Sequence, residues 1–316
     1  MTLLRRGSIA GLVGIVLAIA GLWLYAGSYG INVLLRHGGT YWINVRPDDA
    51  RLSASMRMAL NEPPPVHAGP FEWRQIRAGF EIAELPVIAG GGEVDRIQLA
   101  RIDPARFRFE VHQSPAGDRD LDQWMRTLGA ALVINGSFYS RYGTPVTPVM
   151  SEGTLTGPSQ YDARAGAFVA SATFAGIRDL AHEDWHTAFR DADNAMVSFP
   201  LLLSEDAPRA IAPSRWLANR SFVGHDRNGW IVLGTTSDAF FSLDRLGTFL
   251  RQAPLDLVLA LNLDGGPVAC QGIALDGFER RTYGKWELQV RGNDVQLLTW
   301  LYGTVAMPIV LAVFPK

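Results

Sequence analysis

The sequence predicts an α+β fold: a mixed, largely antiparallel sheet flanked by helices, preceded by one N-terminal transmembrane helix. Three observations predict it. From Phe71 onward, residues 80–87 and 106–111 alternate apolar and polar side chains, the period-two pattern of half-buried antiparallel strands. Runs of strands are interrupted by isolated helical patterns rather than alternating with them strictly. Residues 8–27 carry no charged side chain, and at ~1.5 Å rise per residue a helix of that length crosses a hydrocarbon layer of ~30 Å.

Taken in order, residues 1–27 read as a cytoplasmic stub and membrane anchor. Arg5 and Arg6 precede the apolar run and favour a cytoplasmic N-terminus, with Trp23 and Tyr25 placed as interfacial aromatics. A cleaved signal peptide is the alternative. Either way the bulk of the chain crosses the membrane, giving a single-pass inner-membrane protein whose main domain is periplasmic. Residues 28–70 read as a connector: 48–60 forms a short helix, and Glu62-Pro63-Pro64-Pro65 forces extended chain. The main domain spans 71–316. After the first strands, residues 120–128 form a helix ending at Gly129, with Leu121, Trp124, Met125 and Leu128 on one face. Residues 130–134 form a short apolar strand, 185–193 a helix and 230–234 a strand. Ser242 caps a further helix, and 255–263 is the most apolar strand. Residues 295–314 are two buried strands and no second span, because Gln296, Thr299, Gly303, Thr304 and Pro308 interrupt them.

The composition bounds the partners. The chain has 316 residues, 48% hydrophobic and 19% charged, as a well-cored globular protein has. Its net charge of −2 supplies no field to recruit nucleic acid, so an anionic ligand must be held by a few placed arginines. Membrane contact is assigned to residues 8–27 alone. The single cysteine, Cys270, permits no intramolecular disulfide.

Two segments stand out for chemistry: Val133-Ile134-Asn135-Gly136-Ser137-Phe138-Tyr139 and Ala260-Leu261-Asn262-Leu263-Asp264-Gly265-Gly266. Each is an apolar run that stops at a polar, glycine-bearing turn, where a side chain is held rigidly and glycine lets backbone approach a ligand. Asp264 reads equally as a site carboxylate or as a cap on its own turn. Asn135 is a ligand donor and acceptor or a buried amide satisfying loop backbone.

Together these segments resemble the signature of the phosphodiester glycosidase family, which reads N-G-G-F-F/Y early and N-L-D-G-G late. Three further pieces follow in family order over roughly residues 75–316: Phe199-Pro200-Leu201-Leu202-Leu203, Asn219-Arg220-Ser221-Phe222-Val223-Gly224-His225-Asp226 with Gly229, and the closing 308–315. The resemblance implies hydrolysis of the sugar–phosphate bond of a sugar 1-phosphodiester, N-acetylglucosamine-1-phosphodiester being one such substrate, in an envelope glycan or glycolipid. Such a site must grip phosphate and stabilise an oxocarbenium-like transition state. Because a phosphodiester is a good leaving group, one carboxylate and one guanidinium suffice. The resemblance makes Asp264 the carboxylate, with the Gly265 and Gly266 N–H groups as an anion nest. Arg220 becomes the phosphate fork and Asn135 a third catalytic group, and His225 and Asp226, five and six residues beyond Arg220, are read by that nearness as acid/base candidates. Gly136, Ser137, Tyr139, Asn262 and Asp226 complete the substrate contacts, although Asp226 also reads as the start of the hairpin turn Asp226-Arg227-Asn228-Gly229. Phe138, Tyr139 and Tyr142 offer a stacking wall, with core packing the alternative for Phe138. Ser137 stands where the family has glycine, and Val268 stands where it has a hydroxyl. That second departure supports a rival reading, a non-catalytic envelope glycan-binding protein. The reading calls for no cofactor and assigns no metal ligands, and it leaves assistance by a divalent cation open.

Three other patterns point elsewhere. His182-Glu183-Asp184-Trp185-His186 matches H-E-x-x-H, the zinc-peptidase helix motif, with an extra charge inside it and no third ligand following. Val268-Ala269-Cys270-Gln271-Gly272 is similar to a caspase-type cysteine segment, but reads as a buried small thiol. Gly90-Gly91-Gly92 lacks the Lys-Ser/Thr of a phosphate loop and reads as a turn.

Overall fold

A computed structural model of the protein describes residues 11–21, 40–61, 63–114, 117–140, 142–162, 165–204, 211–292, 294–300 and 305–316. The fold is built mainly of strands. Four sheets carry it, and every strand ladder among the described residues is antiparallel. The expected α+β fold with a mixed sheet is thereby corrected. The helices do fall where periodicity placed them, at Ala54–Leu60, Leu121–Leu128, Trp185–Phe189 and Leu243–Gln252, but they are short covers on a β framework. The expected transmembrane helix is corrected as well. Within residues 8–27 the described helix covers only 11–21, and no described helix is long and apolar enough to cross a membrane. The rest of that run lies outside the described residues.

The central eight-stranded sheet contains Leu201–Leu203, Leu257–Asn262, Ser221–Asp226, Ile231–Thr236, Gly92–Ile102, Phe80–Ala89 and Val66–Ala68 in that order, with Arg74–Arg77 also paired to Phe80–Ala89. It is buried on both faces, which is why Leu257–Asn262 reads as a continuous apolar run without alternation. Phe222, Val232 and Ala260 enter one core with helices Ala54–Leu60 and Leu243–Gln252. Their neighbours Val223, Ile231, Leu233 and Leu261 enter the other.

That second core is closed by a five-stranded sheet, ordered Phe278–Thr282, Gln271–Leu275, Leu132–Asn135, Ile309–Pro315 and Phe107–Gln113. Its far face is covered by helix Leu121–Leu128 through Leu121, Trp124 and Met125. Asp120 accepts from the Gln123 N–H and the Gln123 side chain accepts from the Asp120 N–H, while Gly129 ends the helix at φ 60°, a capping box and a left-handed C-terminal stop. Another five-stranded sheet, ordered Ala175–Asp179, Gly166–Ala170, Asn194–Ser198, Val149–Ser151 and Thr154–Thr156, packs beside it.

The last sheet joins Thr40–Val45, Asp294–Trp300, Glu287–Arg291 and Trp216–Ala218. The segment expected as a connector therefore adds a strand here, a helix whose Met56 is fully buried, and Val66–Ala68 to the central sheet. Residues 294–300 and 309–315 form the two strands expected within 295–314.

Candidate active site

Three of these sheets end at one place. Leu132–Asn135 of the five-stranded sheet and Leu257–Asn262 of the central sheet deliver Asn135 and Asp264 to a common junction. There Asp264 N donates to Gly136 O at 3.0 Å, and Asn135 Nδ2 donates to Asp264 O at 2.7 Å. Phe222 pairs with Asn262, and Leu263 N donates to Ser221 O, so Arg220, just ahead of strand Ser221–Asp226, stands beside Asp264. The four-stranded sheet contributes the fourth member. Glu287 opens its strand opposite Ala218, and its carboxylate Oε1 accepts from Trp216 Nε1 at 2.8 Å.

Arg220 is 6% exposed. Its Nε donates to Phe241 O at 3.2 Å and its Nη2 to Trp216 O at 2.8 Å, which fixes the guanidinium plane and turns Nη1 toward Gly265. A Cβ on Gly265 would lie 3.1 Å from that nitrogen. Gly266 has φ +70°, and a Cβ there would collide with Glu287 Oε2. The two glycines are thus required by the close approach of Arg220 and Glu287 to the turn. They do not form the expected anion nest: Gly265 N donates to Asp264 Oδ1 at 2.9 Å and Gly266 N to Asn219 O at 2.9 Å.

Asp264, Glu287 and Tyr139 are each partly exposed, so the cluster opens to solvent above the buried guanidinium. Burial first, and the neighbouring Glu287 carboxylate second, push Asp264 up to about 8, against the Gly265 N–H and Arg220; its partial exposure tempers that shift. Glu287 is also raised by burial, and held back by the Trp216 N–H and Arg220. Burial lowers Arg220 to about 10, opposed by Glu287 and Asp264, which leaves it a cation at neutral pH. Burial, then Asp264 and Glu287, raise Tyr139 well above an ordinary phenol, so it remains a neutral O–H donor.

The other expected residues divide. Asn262 Nδ2 donates to Phe199 O at 2.9 Å, and Phe138 stacks on Phe199 with centroids 4.4 Å apart. Gly136 packs against Ile309, where a Cβ would not fit, and its N–H donates to Ile309 O. Ser137 is buried and its hydroxyl meets Thr147 Oγ1 at 3.2 Å. His225 and Asp226 lie at the opposite end of the strand that Arg220 precedes, roughly 16 Å along an extended chain. The His225 ring accepts from Ile177 N. Asp226 accepts from Asn228 N, Trp230 N and Arg101 Nε, as the start of a hairpin turn does. The structure does not bring this pair to the cluster. Three separate clefts, of about 400 and 330 Å³ beside Arg280 and about 530 Å³ beside Arg251, are lined by other residues.

The competing motifs resolve locally. Asp184 caps a helix that starts at Trp185, so His182 precedes the helix and shares no face with His186. Among the described residues no three His, Cys, Asp or Glu side chains are grouped for a metal. Cys270 is buried, with its thiol pushed up to about 12, mainly by burial.

Sequence reasoning missed Glu287 and Trp216. The only local signal at Glu287 was an acid opening a strand whose next residues, Leu288 and Val290, face the core.

Residues 128–269 match the phosphodiester glycosidase family, bearing out the resemblance over a segment that includes Asn135, Arg220 and Asp264. The catalytic domain of zebrafish N-acetylglucosamine-1-phosphodiester alpha-N-acetylglucosaminidase, auto-inhibited by its pro-peptide, is 14% identical with a TM-score of 0.51, covering 88% of each chain; it shares the fold. A Burkholderia pseudomallei protein described as a putative exported protein is 11% identical with a TM-score of 0.41, covering 73% of this chain and 77% of its own. No curated protein matches the sequence.

Proposed function

We propose that this chain hydrolyses the bond between the anomeric carbon of a sugar and a phosphodiester oxygen. The observation that carries the reading is the partly exposed Asp264–Glu287 carboxyl pair beside the buried Arg220 guanidinium. A glycoside-cleaving site works through two carboxyl groups in different protonation states. Here burial raises both, Asp264 to about 8 and Glu287 in the same direction, but the Trp216 N–H and Arg220 hold Glu287 back, so the proton is assigned to Asp264. Asp264 then donates to the departing phosphate oxygen as the C1–O bond breaks. Glu287 stabilises positive charge at C1 and takes the proton of the water that adds there. The products are the free sugar and a phosphate monoester. Arg220 faces the phosphate, pre-oriented by two carbonyls so that little ordering remains on binding, and Tyr139 supplies a neutral donor. Cleavage of an N-acetylglucosamine 1-phosphodiester in an envelope glycan or glycolipid is the form of the reaction that the family resemblance supports.

The test is turnover of α-N-acetylglucosamine 1-(methyl phosphate), followed by release of methyl phosphate. Loss of the general acid typically costs ~10²–10⁴-fold, so Asp264→Asn should lower kcat and kcat/KM together by about 10³-fold. Arg220→Lys should chiefly raise KM, because a point charge replaces a fork. Near-wild-type rates in Asp264→Asn would remove Asp264 from catalysis. Saturable binding of the diester without turnover by the wild-type protein would leave a glycan-binding protein.

A further inference from the structure

The four-stranded sheet has two unlike faces. Ile43, Val45, Leu217, Leu288, Val290, Val295 and Leu297 point into the core. Side chains alternate across a strand, so Trp42, Asn44, Gln289, Gln296, Leu298, Trp216 and Glu287 share the other face, with Gln289 (6% exposed) and Leu298 (9% exposed) buried in its middle. Two features of that face are unusual for a sheet surface. Its centre is a ladder of amides: Gln289 Nε2 donates to Gln296 Oε1 at 3.2 Å, and Gln296 Nε2 donates to Asn44 Oδ1 at 3.2 Å. From the two edge strands the indoles of Trp42 and Trp216 meet across the middle of the sheet, edge to face with centroids 6.1 Å apart. Trp216 is 43% exposed.

This face is continuous with the catalytic cluster. The Trp216 indole N–H is held by Glu287 and its carbonyl by Arg220, so one residue joins the cluster to the outer surface and its ring is fixed in orientation. The middle of the face is uncharged; Glu287 lies at one end, and Arg291 with Asp294 at the hairpin end. Rigid aromatic planes interspersed with amides suit a ligand whose rings present C–H faces and hydroxyl edges. Each carboxamide has two N–H donors and two lone pairs, and the ladder uses one donor and one acceptor of Gln296. A polyanion finds no cationic row along the centre.

We propose that this face is a glycan-binding platform, holding several neutral hexopyranose units of a chain that continues from the sugar or aglycone at the cluster. The link to a chain being cut rests on the hydrolase reading above; the binding itself does not. The test is titration of the wild-type protein with cellohexaose, maltohexaose and N-acetylchitohexaose. It follows the indole N–H signals of Trp42 and Trp216, assigned from Trp42→Phe and Trp216→Phe. At least one hexasaccharide should move both signals at concentrations where its monosaccharide moves neither. Gln296→Ala, with its Tm checked to confirm folding, should weaken that binding by roughly fivefold to tenfold, as loss of one or two hydrogen bonds does. The proposal is overturned if no hexasaccharide moves the signals, if monosaccharides move them equally well, or if they shift with protein concentration alone, which would mark a self-association face. Binding with no turnover of sugar phosphodiesters would defeat only the hydrolase reading. Absence of binding beside normal turnover would defeat only the platform.

Discussion

At the residue scale the site turns on two carboxyl groups that share one cation. Glu287 is the second-largest cause of the raised Asp264 carboxyl, after burial. Neutralising Glu287 should therefore lower Asp264 toward the ordinary carboxylate range. Gln in its place still accepts from the Trp216 indole, so the local packing survives. Glu287→Gln should then do two separable things. It should reduce kcat by roughly 10²-fold or more, as removal of a charged catalytic group does, and it should move the alkaline limb of the kcat/KM profile to lower pH. A rate loss with an unmoved limb would mean that Glu287 acts without sensing Asp264. Arg220 lies on the other side of the same balance. Burial lowers it only to about 10, with Glu287 the first to oppose the shift, so it stays charged, and the carbonyls of Phe241 and Trp216 would lose their donors if it were truncated.

At the element scale, strand ends locate the chemistry and a helix steadies them. Helix Leu121–Leu128 packs on Val133 and Cys270, neighbours of the strands that carry Asn135 and lead away from Asp264. Its capping box on Asp120 is reciprocal. Asp120→Ala should cost about 1 kcal/mol of stability, read as a lower urea midpoint with an unchanged slope, while KM and kcat hold; a change in kcat would show that the cap also tunes the strand ends. This helix was legible in the sequence because Leu121, Trp124, Met125 and Leu128 fall on one face and Gly129 ends it. Strand Leu257–Asn262 was legible because an uninterrupted apolar run has few other homes. The dominance of strands was not. Val149–Ser151 and Thr154–Thr156 are three residues each, too short for a period of two to show, so the helices were given too much weight in the fold class. Asn135, Arg220 and Asp264 were found through motif resemblance, and the structure brings them together. Glu287 was not found, because its partners come from positions 216, 220 and 264 and nothing within its own strand marks it. The His225–Asp226 pair misled for a related reason. Proximity in sequence to Arg220 suggested proximity in space, but an extended strand carries residues away from one another at ~3.3 Å per step.

For the whole molecule, the junction of three sheets places partly desolvated acids in the framework itself, so stability and site ionisation are linked. Asp264 has a folded value of about 8 against an ordinary 3.8. Between about pH 4 and pH 8 the folded chain therefore holds a proton that the unfolded chain has released. Where the native state binds more protons, stability falls as pH rises. The contribution of Asp264 is complete below about 4 and is lost as pH climbs through about 8. Glu287 is shifted in the same direction, and so is the buried Asp95, chiefly by burial. Arg220, lowered only to about 10, does not titrate in this window. The wild-type Tm should decline from about pH 5 to about pH 8.5, and Asp264→Asn, which cannot ionise, should decline less steeply and overtake the wild type at the alkaline end. Two Tm curves running parallel across that range would show that solvent reaching the cluster abolishes the shift. Asp264 would then be ionised at neutral pH, and the proton for the leaving phosphate oxygen would have to come from another donor, with Tyr139 the one already in the cluster.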